Sequence, residues 1–250
     1  MANSPSGDSM TARIVRVLET FDADRTVQTI ADIARRAALP SSTAQRIVAE
    51  LAASGLLERD EDGRVRLGMR LWELALRGSL ALRLRQAALP FMEGVQARVR
   101  EHTQLAVLEQ DEALFIERLS HPLAGANITR IAGRLPLHAS SAGLVLLAHA
   151  PPVLRERVLS QPLRALSAET QTDAAVLRTQ LERVRREGFV IAPGTVETVS
   201  TGVAVPVREG RRGPVIAALA VVLPRDAPTA GAIDELRRAA AGIESALAAP

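Results

Sequence analysis

The chain has 250 residues, 47% hydrophobic and 24% charged, which fits two ordinary globular domains or one large one and excludes a disordered chain. It has no cysteine, so disulfides and thiolate metal sites are excluded, and a cytoplasmic location is expected. The net charge is only +3, yet the isoelectric point is near 10.8 because all 31 basic residues are Arg. Acids balance the arginines across residues 1–70, so a face for nucleic acid must arise from placement rather than excess charge.

Residues 1–9 are small and polar and read as a disordered tail, not a signal peptide; no apolar run reaches the ~18 residues that span a bilayer, so no membrane partner is expected. Three apolar stripes follow at i, i+3, i+4, i+7 spacing: Ile14, Val17, Leu18, Phe21, then Ile30, Ile33, Ala34, Ala37, then Ala44, Ile47, Val48, Leu51. Each is one face of an amphipathic helix. Only residues 38–43 separate the second stripe from the third, which forces the sharp corner of a helix-turn-helix. Thr29 with Asp32 suits a cap for the second helix, Ser42 with Gln45 the same for the third, and Gly55 a left-handed stop.

The third helix leaves Ser41, Ser42, Thr43, Gln45 and Arg46 facing solvent. Short hydroxyls suit phosphate contact, and Gln45 and Arg46 suit base edges in duplex DNA. The plainer reading is that these residues cap and solvate an ordinary three-helix bundle. Arg35 and Arg36 close the second helix, where backbone phosphate contact and simple complementarity to the helix dipole are both open.

Residues 56–59 and 64–68, joined by the acidic turn 60–63, read as a β-hairpin, which after a helix-turn-helix is a wing. Arg64 and Arg66 alternate with Val65 and Leu67 and are expected on one face of its second strand. Helical periodicity returns over residues 69–100, with Pro90 as a local kink. Trp72, Leu71, Leu74 and Leu76 on the connecting helix read either as core or as a contact between two copies.

From residue 104 the period changes to that of strands over 104–108, 114–119, 126–131, 190–192, 201–207 and 215–223. Helices are expected over 140–149, 152–160, 173–187 and 230–248. Strands intermixed with helices make this an α+β fold over a mainly antiparallel sheet.

Several runs together resemble IclR-type transcriptional regulators, over roughly residues 11–225. They are Thr29-Ile-Ala-Asp-Ile-Ala34, Leu39-Pro-Ser-Ser-Thr-Ala-Gln-Arg46, Gly55-Leu-Leu-Glu-Arg59 and Arg66-Leu-Gly68. The second half adds Gly133-Arg-Leu-Pro-Leu-His-Ala-Ser-Ser-Ala-Gly143, then Arg185-Arg-Glu-Gly-Phe189, Glu197 and Val203-Ala-Val-Pro-Val207. The resemblance implies a winged helix-turn-helix DNA-binding domain over 10–69, a connecting helix over 70–80 and a GAF-like effector-binding domain over 81–250. It also implies a homodimer or dimer of dimers that binds double-stranded operator DNA, here read as a repressor, and a small organic effector. The effector pocket implied by the resemblance comprises Ile131, Gly133, Leu135, Ser140, Ser141, Glu197, Thr201, Gly202, Ala220 and Val222. Departures from the family pattern stand at Leu144, in place of a usual Lys, and at Val199, Gly202, Ala220 and Val222, in place of small or polar residues. Fewer polar groups remain to hold a carboxylate. A more apolar effector or an aromatic acid is expected, or else a weak response to effector.

Other chemistry is poorly supported. His102, His121, His138 and His149 have no metal-ligand spacing, and His138 reads as a structural imidazole. Residues 139–143 lack the first Gly and the ordered Asp and His partners of a nucleophile elbow. No phosphate-cradling glycine loop is present, so neither cofactor nor catalysis is expected. The alternative of a different class is a small-molecule-binding enzyme that carries the winged helix as an interaction module.

Overall fold

A computed structural model describes residues 8–22, 24–77, 79–122, 124, 128–210 and 213–248, in two units, Met1–Ser79 and Leu80–Pro250. Of the tail expected over residues 1–9, the first seven lie outside the described residues. Asp8 instead pairs with Arg16 at 2.8 Å, and the Ser9 hydroxyl accepts the Ala12 N–H at 3.1 Å as the cap of the first helix.

The first unit runs α1 (Met10–Leu18), β1 (Val27–Gln28), α2 (Ile30–Arg36), α3 (Ser41–Ala53), β2 (Leu57–Arg59), β3 (Val65–Leu67) and α4 (Met69–Leu76). The three stripes converge: Val17, Ile33, Ala37, Ile47, Val48 and Leu51 form one core with Leu57 and Val65 of the hairpin. Thr29 caps α2 by accepting the Asp32 N–H, and the Asp32 carboxylate answers by accepting the Thr29 hydroxyl at 2.7 Å. Ala38 turns the chain between α2 and α3 in the left-handed region, at φ 50°. The expected Ser42 cap of α3 is incorrect. Pro40 holds the cap position with no side-chain bond, and Ser41 and Ser42 already lie in the helix. Proline fixes φ at the value needed there without offering an acceptor. Gly55 leaves α3 at φ +76°, as expected.

The wing is three-stranded, in the order β1-β3-β2, with both pairings antiparallel. A two-residue strand carries too little periodicity to be read from sequence. Burial of the Gln28 amide, which donates to the Thr20 carbonyl at 2.9 Å, secures it to the end of α1. The helix expected over 70–80 ends at Leu76, where the Arg77 N–H closes onto the Leu74 carbonyl.

The second unit starts with α5 (Leu80–Val99), which continues through Pro90. It proceeds through β4 (His102–Glu109), β5 (Glu112–Leu119), β6 (Arg134–Pro136), α6 (Ser141–His149), α7 (Pro152–Leu159), α8 (Ala174–Glu187), β7 (Val190–Pro193), β8 (Ser200–Arg208), β9 (Val215–Pro224) and α9 (Ala230–Ala248). The strands form one sheet in the order β6-β5-β4-β9-β8-β7, antiparallel throughout. The fold is thus α+β, with an N-terminal winged helix-turn-helix and a C-terminal antiparallel sheet flanked by helices. The strand expected over 126–131 is a correction. Residues 128–131 run as loop, residues 126–127 lie outside the described set, and the edge strand forms three residues later. Ala132 turns at φ 62°, and the Phe115 backbone takes the Ala132 N–H, so pairing begins only beyond Gly133.

Alternation sorts the two faces of this sheet. Leu105, Val203, Val205, Leu219 and Val221 pack with α5 and α9. Ala106, Ala204, Ala218 and Ala220 pack with α6, α7 and α8. Those alanines let α6 lie close, and every residue from Ser141 to Ala148 is buried. A helix apolar on all sides must sit inside the protein, which α6 does. Leu144, at the position of the family's usual Lys, is 1% exposed within this core.

Candidate functional site

Each unit carries a separate candidate. In the first, α3 buries Ala44, Ile47, Val48 and Leu51 and exposes Ser41, Ser42, Gln45 and Arg46, with Thr43 half-buried at the margin. Without a side-chain cap, the first-turn N–H groups of α3 have no side-chain acceptor. They point along the positive end of the helix dipole, an arrangement suited to an anionic oxygen. The Arg46 guanidinium is 56% exposed and only loosely held by Glu50, at 3.4 Å one turn later. Arg35 is 68% exposed and pairs with Asp32 at 2.6 Å. Exposed pairs of this kind cost little to break when a phosphate competes.

The two wing arginines separate. Arg66 is bound to Glu58, its Nε donating to Oε2 at 3.0 Å, while the other Glu58 oxygen accepts the Met69 N–H at 3.2 Å. The Met69 N–H first and Arg66 second hold the Glu58 carboxyl below its ordinary pKa. Arg64 lies just before β3, not in it, and reaches Asp62 at 3.6 Å. Both are exposed on either side of buried Val65, as the alternation implies, but only Arg66 lies within β3. Glu58 occupies one, and the other stands at the turn.

In the second unit a small cavity, about 30 Å³, opens beside the start of α6. Of the residues implied by family resemblance, Leu135, Ser140, Ser141, Glu197, Gly202 and Val222 line it. Ile131, Gly133, Thr201 and Ala220 do not. Ile131 is 55% exposed, and the Thr201 hydroxyl donates instead to the Arg225 carbonyl at 3.0 Å. A Cβ on Gly133 would lie 2.8 Å from the Arg130 carbonyl oxygen, so this glycine serves the turn. Ala220 is fully buried in the sheet.

Sequence reasoning missed Gln104 and Phe115 on the sheet, Thr129 in the loop before β6, Ala142 at the start of α6, and Ala192, Thr195, Val196 and Ser200 around the loop before β8. Gln104 carried a readable signal, since it is a lone amide on the inward face of an apolar strand. The Ser140 hydroxyl caps α6 by accepting the Gly143 N–H at 3.0 Å. A Cβ at Gly202 would lie 2.6 Å from Ser141 Oγ, so β8 passes directly beneath that hydroxyl. Among the described lining residues Glu197 is the one ionisable side chain, and its Oε2 accepts the Ile128 N–H at a long 3.4 Å.

Two of the histidines serve structure. His138 Nε2 donates to the Arg164 carbonyl and His149 Nδ1 to that of Val145, both at 2.9 Å. Desolvation, the largest cause, pulls both rings below their ordinary pKa. Among the described residues no group of three or more His, Cys, Asp or Glu is placed to hold a metal. Among the described residues no helix is long and apolar enough to cross a membrane.

Comparison with known proteins covers both units. The model of the IclR helix-turn-helix domain matches residues 11–61, and that of the bacterial transcriptional regulator IclR C-terminal matches residues 80–244. HTH-type transcriptional regulator XynR of Escherichia coli (strain K12) is 30% identical over 250 residues, covering 95% of this chain and 96% of its own. An IclR homolog from Microbacterium hydrocarbonoxydans, solved in complex with 4-hydroxybenzoate, is 62% identical at a TM-score of 0.91, covering 96% of this chain and 99% of that one. A second homolog, from Microbacterium sp. strain HM58-2, is 60% identical at a TM-score of 0.65, covering 97% and 99%. These relatives are regulators, so the chain is not an enzyme, and the reading of its winged helix as an enzyme's accessory module is set aside. The chain belongs to the IclR family of transcriptional regulators, with the family's helix-turn-helix unit and its C-terminal unit.

Proposed function

We propose that the protein is a cytoplasmic repressor that binds operator DNA as a homodimer, or a dimer of dimers, and is released by an aromatic acid. Two copies of α3 enter successive major grooves of a pseudo-palindrome, about 34 Å or a multiple of it apart. Ser41, Ser42, Thr43 and Arg35 meet phosphates. Gln45 and Arg46 reach base edges, and Arg64 follows the backbone beside the wing. The amphipathic division of α3 supports this reading, with Ile47 and Val48 fully buried and Arg46 more than half exposed on the opposite side.

The exposed apolar side chains of α4, Met69, Trp72 and Leu74, supply the face on which two copies meet. An isolated helix of eight residues has no other means of covering them. For the effector, the supporting observation is the largely apolar cavity beside α6 together with the 62% identical homolog that carries 4-hydroxybenzoate. Effector and operator are coupled only through the effector's differential affinity for the two arrangements of the dimer.

Fluorescence anisotropy on the DNA upstream of the protein's own gene, with and without 4-hydroxybenzoate, tests the proposal. Salt-sensitive binding that the acid weakens is the expected result. A dimer indifferent to duplex DNA at low salt would refute it.

A further inference from the structure

Gln104 Nε2 lies in the wall of the cavity, in a residue 3% exposed, and has no hydrogen-bond partner. A buried donor without an acceptor is costly, and native proteins keep such groups chiefly where something else satisfies them. The register shows what surrounds it. Gln104 pairs with Ala220 on β9, and Ala220 in turn pairs with Ala204 on β8. On its other side Gln104 pairs with Arg118 of β5, so this row, on the face that receives α6, runs guanidinium, amide, methyl, methyl. The next row toward the strand ends includes Gly202 opposite Val222, with Ser141 Oγ directly over Gly202.

The polar groups of the cavity thus divide. In the sheet wall stands the Gln104 amide with the Arg118 guanidinium beside it, while the Ser141 hydroxyl and the start of α6 stand over the beginning of β8. On the loop before β8 stands Glu197, half-buried and bearing the one ionisable group in the lining.

We propose, resting on the aromatic-acid reading above, that Gln104 is the residue that orients the effector. Its amide donates to the ligand carboxylate at the sheet wall of the cavity, and Glu197 accepts a ring hydroxyl at the loop end. Charge dictates this direction. A carboxylate beside Glu197 would meet a like charge in a poorly solvated site. Beside Gln104 it meets an unsatisfied N–H and the neighbouring Arg118 guanidinium. None of the described lining residues is a cation, and the Arg118 guanidinium, beside Gln104 in the row and donating to the Thr129 carbonyl, adds its charge at this same end. Discrimination among aromatic acids then falls to the hydroxyl, because a site built to pair a hydroxyl rejects a ligand that lacks one.

Titration calorimetry of the full chain with 4-hydroxybenzoate and with benzoate tests the orientation. Gln104→Leu and the less bulky-ended Gln104→Met are each expected to weaken both acids by the same factor, about tenfold or more. Neither should lower the melting temperature of the ligand-free protein, since each removes a buried donor that has no partner. Glu197→Leu is expected to weaken 4-hydroxybenzoate while leaving benzoate little changed, which erases the preference between them.

Two results would overturn the assignment: loss confined to 4-hydroxybenzoate in the Gln104 variants, which reverses the ligand, or unchanged binding of both acids. A melting temperature that falls with affinity in both Gln104 variants would also overturn it, as a merely structural amide behaves that way. Failure of the unmodified protein to bind either acid would instead remove the aromatic-acid reading on which the assignment rests.

Discussion

Gly143 is the third residue of α6, where the helix starts against the sheet and beside the cavity. Replacing it with alanine gives a change whose sign the local geometry determines. At an open helix position Gly→Ala stabilises by about 0.5–1 kcal/mol, because alanine loses less backbone freedom on folding. At Gly143 the new Cβ would lie 2.6 Å from the Leu137 carbonyl oxygen and 2.8 Å from both Leu137 Cα and Ser140 Oγ. Two of these neighbours are backbone, and Leu137 itself is 1% exposed, so neither can move aside cheaply.

Overpacking of this kind costs about 1–3 kcal/mol, which outweighs the entropic gain. The difference is a net loss of up to about 2.5 kcal/mol, so at about 2–4 °C per kcal/mol for a unit of this size Gly143→Ala should lower the melting temperature by up to roughly 10 °C. Gly94, within α5, is the matched control, because a Cβ there meets nothing within 4 Å. Gly94→Ala should raise the melting temperature by about 1–4 °C. Differential scanning calorimetry of the two variants beside the parent decides the matter. If both substitutions stabilise, the close approach of α6 to residues 137–140 is wrong, and with it the position of the cavity wall.

Arg46→Ala should weaken operator binding by about 1–3 kcal/mol and relax base preference if its contact is bidentate, whereas Arg35→Ala should weaken all sequences alike and reduce the salt slope. Anisotropy titrations on matched and mutated operators separate the two. Trp72→Asp should shift the chain toward monomer in sedimentation experiments, and an unchanged assembly would remove α4 from the contact between copies. Burial lowers the His138 and His149 pKa values from 6.5, so the unfolded chain takes up protons more readily than the folded one. Stability from these rings is present above pH 6.5 and is lost as pH falls through the lowered values. His138→Gln with His149→Gln should flatten that slope in urea unfolding. Carboxylates held below their ordinary values by arginine, such as Glu156 beside Arg178, contribute only to a loss centred lower, below about 4.5.

How far the sequence could be read depended on the range of the interactions involved. The helices of the first unit follow from stripes of four apolar residues each, and α9 has the expected bounds, because helical burial repeats within a few residues of chain. Short elements held by distant partners could not be read this way. β1 is two residues long and exists because it pairs with β3, and β6 begins only after the turn at Ala132. The α3 cap was misplaced because serine, threonine and proline all suit that stretch, and which of them takes the cap position depends on how the turn from α2 is closed. On α3, sequence was enough to identify the exposed polar residues, since a buried stripe implies its opposite face.

The cavity is different. Gln104, Phe115 and Glu197 lie on separate strands and loops, and nothing in their local spacing joins them. Periodicity determined which side of each strand faces inward. Only the pairing of β4 with β9 and of β9 with β8, together with the approach of α6 over Ala204 and Ala220, brought those inward sides around one space. Pairing register is a long-range agreement between strands, and a one-residue slip would have turned Gln104 to the opposite face.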